Sequence, residues 1–121
     1  MEIKKLSILI PAYNEGPTIY KILDKIKAVS LINNIEKEII IVNDCSTDDT
    51  SSAINNYRAE NPNLIITFIE HKKNLGKGAA LHTGIKHASG EIIIIQDADL
   101  EYDINQVYNQ RLITRKIVFL T

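Results

Sequence analysis

Residues 91–99 read Glu-Ile-Ile-Ile-Ile-Gln-Asp-Ala-Asp and contain the two features on which the fold and the site depend. The run Ile92–Ile95 is typical of a strand buried on both faces, as in a parallel sheet. If the chain stays extended beyond it, Asp97 and Asp99 point the same way. Two such carboxylates repel unless a proton or a cation lies between them, and oxygen ligands suit Mg²⁺ or Mn²⁺ together with substrate phosphates. The stretch therefore predicts a metal–diphosphate site at the end of a strand.

Outward from this stretch, strand-like and helix-like patterns alternate along the chain. Short apolar runs are typical of buried strands, and apolar residues spaced three and four apart are typical of helices with one buried face. The predicted strands are Leu6–Ile10, Glu38–Val42, Leu64–Ile69 and Glu91–Gln96, and the predicted helices are Thr18–Ser30, Asp49–Glu60 and Lys77–Ala88. A last helix over Ile104–Ile113 and an edge strand over Lys116–Leu120 follow. This order predicts an α/β fold, a parallel-sheet αβα sandwich of Rossmann-like type.

Polar loops follow each of the four main predicted strands. They are Pro11–Glu15, Asn43–Asp48, Lys72–Gly78 and Asp97–Asp99. The loops after the strands of a parallel sheet share one edge, and ligands bind at that edge. The sequence therefore predicts that residues from all four loops meet in a single site.

Several loop residues have two interpretations. Asp44 has an acceptor-only carboxylate for a base or a ribose, whereas Ser46–Asp48 are expected to turn the chain and cap the next helix. Tyr13 would stack on a base or remain a half-buried ring, and Glu15 would bond a ribose or act as an acid in the first turn of a helix. Lys77, between two glycines, would lie near phosphates or simply begin a helix.

The histidines and the cysteine have no chemistry assigned to them. His71, His82 and His87 are not spaced as metal ligands, so all three are expected to be structural or exposed. Cys45, the one cysteine, is expected to be inert and excludes an internal disulfide. Glu101 follows the acidic pair and would complete a metal or nucleotide site or lie on the surface.

Composition and missing motifs exclude several classes of protein. The chain has 121 residues and a net charge of −1, which gives no electrostatic case for nucleic-acid binding. No apolar run reaches the length of a spanning helix and no signal-peptide pattern begins the chain, so a cytoplasmic location is expected. A phosphate-binding P-loop is excluded because Lys77 is followed by Gly78, and a dinucleotide-binding glycine triplet is missing after the first strand.

Four motifs, in order and with family-like spacing, resemble glycosyltransferase family 2. They are Ser7–Glu15, Ile41–Asp48, Asn74–Ala80 and Gln96–Tyr102. The likeness is greatest to the dolichol-phosphate mannosyltransferase type and other members that act on polyprenyl phosphates, and it covers residues 5 to about 105. It implies a GT-A fold, here in truncated form, with residues 1–105 as the nucleotide-sugar-binding half and 106–121 as a divergent tail.

The resemblance also implies roles for individual residues. The metal, Mg²⁺ or Mn²⁺, would be held by Asp97 and Asp99, with Asp99 as the main ligand and Glu101 beside it. Such enzymes invert the anomeric carbon by direct displacement, and the catalytic base is expected in a C-terminal half that this sequence lacks. The positions that would bind the nucleotide-sugar donor are Pro11, Tyr13, Glu15, Val42, Asp44, Asp97, Ala98 and Glu101, to which we add Lys77.

Two departures from the family pattern define the hypotheses. Asn43 and Cys45 stand where the family usually has an aspartate and a turn glycine, and the likeness ends after about Asn105. The first hypothesis is a metal-dependent, inverting transferase that moves a sugar from a nucleoside diphosphate to a polyprenyl phosphate or a glycan. The second is an inactive nucleotide-sugar-binding remnant, for which self-association is expected. A receiver-type signalling domain fits less well, because Tyr13-Asn14-Glu15 does not supply paired acids.

Overall fold

The computed structural model describes residues 2–96 and the backbone of one further strand over 116–120. Its elements are β1 (Lys5–Ala12), α1 (Gly16–Ala28), a 3₁₀ turn (Ile32–Asn34), β2 (Glu36–Asn43), α2 (Thr50–Glu60), β3 (Ile66–Glu70), α3 (Lys77–His87), β4 (Ile92–Gln96) and β5 (Lys116–Leu120). The predicted strands and helices of this part are confirmed, including the edge strand β5. The predicted helix Ile104–Ile113 lies outside the described residues.

The strands form one parallel sheet with the order β3-β2-β1-β4-β5. The chain winds outward from β1 through β2 to β3, and then returns to the other side of β1 to form β4. The order therefore reverses between β1 and β4, which is the point where ligands bind in open α/β sheets. The strands β1 and β4 flank this position in the sheet.

Side chains that alternate along the strands separate the core into two layers. On one face, Ile8 and Ile10 of β1 pack with α1 and α2, which contribute Ile22 and Ile54 among others. On the other face, Leu9 packs with α3 and with alternate residues of β2 and β4. The αβα sandwich that the sequence predicts is confirmed.

Strand β1 continues through Pro11, where the sequence predicts that it ends. Ala12 faces β2, because its carbonyl accepts a hydrogen bond from the backbone N–H of Asp44 at 2.9 Å. Its neighbour Pro11 therefore faces the side of β4, whose pairing with β1 extends only to Leu9. The missing N–H of proline thus costs no hydrogen bond of the described sheet.

Helix α1 begins and ends two residues earlier than its predicted range. Pro17 is favourable in a first turn and lets the helix begin at Gly16. At the other end Val29 is extended, with φ −80° and ψ 125°. The ammonium of Lys37 donates to the carbonyls of Ile26 and Val29 at 2.7 and 2.5 Å, so β2 supplies the cap of this helix.

A buried carboxylate holds the end of α3 at the amino edge of the sheet. Glu38 of β2 accepts hydrogen bonds from the hydroxyl of Ser7 at 2.5 Å and from the backbone N–H of Ser89 at 2.6 Å. The hydroxyl of Ser89 donates to both of its oxygens, at 2.9 and 3.0 Å. The turn after α3 is thereby fixed to β1 and β2.

Candidate functional site

A cleft of about 400 Å³ opens at the carboxyl edge of the sheet. Residues from three loops and from the start of α3 line it: Pro11, Ala12, Tyr13, Glu15, Asp44, Asn74, Gly76, Lys77 and Ala80. Five of the predicted donor-binding residues, Pro11, Tyr13, Glu15, Asp44 and Lys77, therefore meet in one cavity. The convergence that the parallel topology predicts is observed for the first three loops.

The loops after β1 and β2 are joined by hydrogen bonds between side chains and backbone. The amide oxygen of Asn14 accepts from the backbone N–H of Thr47 at 2.8 Å and of Asp48 at 3.3 Å, while the N–H of Asn14 donates to the hydroxyl of Ser46 at 2.9 Å. Ser46 donates in turn to the amide oxygen of Asn43 at 2.5 Å. Asn43, where the family has aspartate, thus serves as an acceptor for its own loop.

Asp48 lies at the first turns of two helices. One of its oxygens accepts from the N–H of Gly16 in α1 at 3.2 Å, and the other accepts from the N–H of Thr50 in α2 at 3.0 Å. Asp48 thus accepts from the first residue of each helix, although it is not the N-cap residue of either: Glu15 precedes α1 and Asp49 precedes α2. These bonds hold the pKa of the Asp48 carboxyl below its ordinary value, with the Thr50 hydroxyl as the main cause.

Glu15 and Tyr13 occupy the β1 side of the cleft. Glu15 directly precedes α1, and its carboxylate accepts from the hydroxyl of Thr18 at 2.9 Å. Tyr13 is 45% exposed, so its ring is available for stacking against a planar ligand. Glu15 is the N-cap residue of α1 and not an acid of its first turn, as one interpretation of the sequence expected. Both Tyr13 and Glu15 line the cleft.

Asp44 is 4% exposed, and three groups of this chain donate to it. One oxygen, Oδ1, accepts from the backbone N–H of Leu75 and lies next to Nδ1 of His71, each at 2.9 Å. The other, Oδ2, accepts from the backbone N–H of Gly76 at 2.9 Å. Because an ionised carboxylate offers about four acceptor positions, one remains on Oδ2 for a ligand in the cleft.

The environment of Asp44 keeps its carboxyl ionised. Burial alone would raise the pKa, but the hydrogen bonds from Leu75, His71 and Gly76 outweigh it, and the pKa lies below its ordinary value. Asp44 is therefore an acceptor over the whole neutral range, as the recognition of a base N–H or a ribose hydroxyl requires.

The start of α3 forms the opposite wall of the cleft. Gly76 precedes the helix with φ 96° and ψ 163°, a conformation open essentially only to glycine. Lys77 is the first helical residue and is exposed. A lysine at a helix N-terminus, where backbone N–H groups carry partial positive charge, suits an anionic group.

Cys45 occupies a strained position beside Asp44. Its φ is 59°, in the left-handed region that glycine adopts without cost, and this explains why a turn glycine is usual there. Its sulfur lies 3.6 Å from the carbonyl oxygen of Lys72, to which the thiol donates.

The structure does not bring every predicted residue to the cleft. The side chain of Val42 is fully buried and packs with Leu9 and Ala80 beneath it. Asp97, Ala98, Asp99 and Glu101 lie outside the described residues, directly after β4 in sequence. In the part of the chain that the structure describes, no group of three or more histidine, cysteine, aspartate or glutamate residues could hold a metal ion. No helix in the same part is long and apolar enough to cross a membrane.

Sequence reasoning missed the role of His71. This residue directly follows β3, and its ring lies between Asp44 and Thr83 of α3, with each ring nitrogen 2.9 Å from an oxygen. The prediction that His71 is structural is consistent with this place, but the prediction did not connect it with Asp44. Because polar residues that follow parallel strands share one edge of the sheet, the position of His71 directly after β3 would have predicted that it lies near Asp44.

The described part of the chain has the α/β fold of the GT-A class. The model of the family described as glycosyl transferase family 2 matches residues 7–111. The chain belongs to glycosyltransferase family 2.

Relatives with known names support this assignment. A dolichyl-phosphate β-glucosyltransferase of Trichomonas vaginalis is 38% identical over 101 residues, which are 78% of this chain and 30% of the relative. An undecaprenyl-phosphate 4-deoxy-4-formamido-L-arabinose transferase of Sodalis glossinidius is 34% identical over 101 residues, 84% of this chain and 31% of the relative. This chain thus spans about three tenths of the length of these relatives.

Solved structures are similar in fold and have related ligands. A mannosyltransferase of Pyrobaculum calidifontis, in complex with GDP-Man and Mn²⁺, matches with a TM-score of 0.78 and 32% identity over 89% of this chain and 31% of that one. The protein TarS of S. aureus, in complex with UDP-GlcNAc, matches with a TM-score of 0.69 and 29% identity over 78% of this chain and 26% of that one.

Proposed function

We propose that this chain is the donor-binding part of an inverting, metal-dependent glycosyltransferase that moves a sugar from a nucleoside diphosphate to a polyprenyl phosphate. The observation that carries the proposal is the cleft at the carboxyl edge, in which Tyr13, Asp44 and Lys77 meet beside the switch point of the sheet. The named relatives act with dolichyl or undecaprenyl phosphate, which supports an acceptor of this class. An acceptor of this kind would bring the chain to the cytoplasmic surface of a membrane.

Each residue of the cleft has a proposed task. Tyr13 stacks on the base, the free acceptor position of Asp44 Oδ2 binds a donor group of the base or ribose, and Lys77 lies toward the phosphates. Pro11 shapes the floor, and Glu15 bonds the ribose. Val42 supports this floor from below, and its side chain does not contact the nucleotide.

The acidic motif after β4 would hold the metal. Asp97 and Asp99 would bind Mg²⁺ or Mn²⁺, with Ala98 and Glu101 next to the donor diphosphate. When bound, the cation neutralises the charge that grows on the departing diphosphate. The cleft residues bind and orient the nucleotide so that the sugar lies at this motif.

A second candidate function uses the same cleft. A nucleotide-sugar-binding remnant without transfer activity would bind the donor there and transfer nothing. Incubation with labelled nucleotide sugar and a polyprenyl phosphate separates the two candidates. Transfer of label to the lipid eliminates the remnant, whereas binding without transfer favours it.

Calorimetric titration tests donor binding itself. GDP, UDP, CDP and dTDP, and one sugar-linked form of each, are titrated with and without Mn²⁺ into the 121-residue chain. We expect one nucleotide to bind only with Mn²⁺, and Asp99→Ala to abolish this binding. Asp103→Ala is the matched control, because it removes a nearby acid to which the motif assigns no role. Failure of a folded sample to bind any of these nucleotides would refute the proposal, and sedimentation of the same sample tests the expected self-association.

A further inference from the structure

His71 joins the acidic acceptor of the cleft to the middle of α3. Its ring nitrogen Nδ1 lies 2.9 Å from Oδ1 of Asp44, and Nε2 lies 2.9 Å from the hydroxyl of Thr83. Its backbone N–H donates to the carbonyl of Asn43 at 2.9 Å. The side chains of His71 and Asp44 are 9% and 5% exposed, so the contact is shielded from water. His71 does not line the cleft.

The chemistry of the partners fixes the tautomer of the ring. An ionised carboxylate only accepts hydrogen bonds, and Asp44 is ionised because its pKa lies below the ordinary value. Nδ1 must therefore carry the proton and donate it to Asp44. In the neutral ring Nε2 then accepts from the hydroxyl of Thr83, which satisfies both nitrogens.

The other two donors to Asp44 come from an exposed segment of the chain. Leu75 and Gly76 belong to the loop before α3, in which residues 72–75 are exposed. Thr83, by contrast, lies next to Gly84, whose position is fixed by close packing against the fully buried Leu9. His71 is thus the donor that connects Asp44 to a packed element.

We propose that His71 is a positioning residue for the donor: it holds the Asp44 carboxylate on α3 so that the free acceptor position of Oδ2 faces the cleft. This inference rests on the proposed function, since it concerns the nucleotide that the cleft is proposed to bind. What it adds to the proposed function is that one hydrogen bond, from Nδ1 of His71 to Asp44, sets the affinity for that nucleotide.

Two amide variants separate the two bonds of His71. In His71→Asn the amide nitrogen takes the place of Nδ1, since both lie the same number of bonds from Cβ, and it can donate to Asp44. In His71→Gln the amide nitrogen takes the place of Nε2 and can reach Thr83 only. We expect His71→Gln to weaken nucleotide binding about tenfold, the effect of losing one hydrogen bond to a charged acceptor, and His71→Asn to stay within about threefold of the wild type. The ligand is whichever of GDP, UDP, CDP and dTDP the wild type binds with Mn²⁺.

The outcomes distinguish this inference from the proposed function. If the wild type binds none of the four nucleotides, the proposed function and the inference both fall. If the wild type binds one but His71→Asn and His71→Gln weaken binding equally, the donor role of Nδ1 is wrong while the proposed function stands. A merely structural histidine would give such equal losses, because each amide removes the same ring.

Two further measurements apply even where His71→Gln does not fold. Long-range ¹H–¹⁵N spectra of the wild type should show His71 as a single Nδ1–H tautomer, and exposed His82 serves as the internal reference. An Nε2–H tautomer would overturn the inference.

Thr83→Val should weaken nucleotide binding about threefold, because Nε2 loses its partner, whereas Thr83→Ser keeps the hydroxyl and should match the wild type. Equal binding by both Thr83 variants would exclude α3 as the support of the ring.

Discussion

Two buried carboxylates at opposite ends of β2 hold the two ends of the same helix. At the amino edge of the sheet, Glu38 accepts from Ser7 and from Ser89, which follows α3. At the carboxyl edge, Asp44 accepts from Gly76, which precedes α3. For both carboxyls burial would raise the pKa, but hydrogen bonds to the ionised form outweigh it, and both pKa values are below the ordinary ones.

The two carboxylates differ in whether an acceptor position is left for a ligand. The bonds of Glu38 come from side chains and backbone around it, and Glu38 does not line the cleft at the carboxyl edge. Asp44 lines the cleft and keeps one acceptor position. A buried, ionised carboxylate is therefore no sign of a binding site by itself; its place at the carboxyl edge of a parallel sheet is what makes Asp44 the candidate.

The largest expected effect comes from removing each carboxylate in turn. Glu38→Ala leaves the buried hydroxyl of Ser7 and the part-buried N–H of Ser89 without their acceptor, so we expect the free energy of unfolding to fall by roughly 3 kcal/mol with nucleotide affinity unchanged. Asp44→Ala should cost less stability, because water in the cleft reaches the freed N–H groups, but it should abolish nucleotide binding. Urea unfolding and calorimetry on the same samples measure both quantities. Equal loss of affinity in the two variants would remove the distinction between the two ends.

A substitution in the middle of α3 should disturb both ends together. A Cβ on Gly84 would lie 2.0 Å from Cδ1 of the buried Leu9, so Gly84→Ala must displace the Leu9 side chain or move the helix away from the sheet. We expect a loss of roughly 2 kcal/mol and faster amide exchange at both Gly76 and Ser89. The matched control is Gly78→Ala, where a Cβ meets nothing within 4 Å and the better helix former should stabilise slightly. Exchange that increases at one end only would show that the two ends are not coupled through α3.

Acid should weaken the fold through these same carboxyls. Their folded pKa values lie below the ordinary values of 4.5 for Glu38 and 3.8 for Asp44, so the unfolded chain binds more protons in acid. Stability is thus fully present above about pH 4.5 and falls as the pH drops through the folded pKa values. In Glu38→Gln the decline should be smaller by about 1 kcal/mol, since one of these groups no longer titrates. Urea midpoints between neutral and acid pH test this, and parallel curves would contradict it.

The smallest expected effect concerns a buried polar side chain without the partners that the two carboxylates have. Gln96, the last residue of β4, is fully buried, and neither its amide nitrogen nor its oxygen has a hydrogen-bond partner in the described part of the chain. Gln96→Met keeps the shape and removes the unpaired amide, so we expect a gain of roughly 1 kcal/mol in the free energy of unfolding. A loss of stability on urea unfolding would show that the amide is paired after all.

Much of the fold follows from local pattern, while the site needs contacts between distant residues. The isoleucine runs of β2 and β4 and the spacing of α1 predict the sheet and its layers, because period and burial are local properties. The capping of α1 by Lys37 was not predictable, since it depends on how β2 lies beside the helix end. The topology rule placed Asp44 and Lys77 at one edge, but the bond between His71 and Asp44 spans 27 positions, and only the folded chain shows it.

The paired loops after β1 and β2 have a consequence for protein engineering. Asn14 bonds the backbone at positions 47 and 48, and Ser46 bonds the backbone at position 14. A loop transplanted from a relative to alter nucleotide preference would therefore work only if both segments were exchanged as one cassette. Substitutions at position 14 and at positions 46–48 should accordingly show strong epistasis, and combinatorial libraries built on this scaffold should vary them jointly.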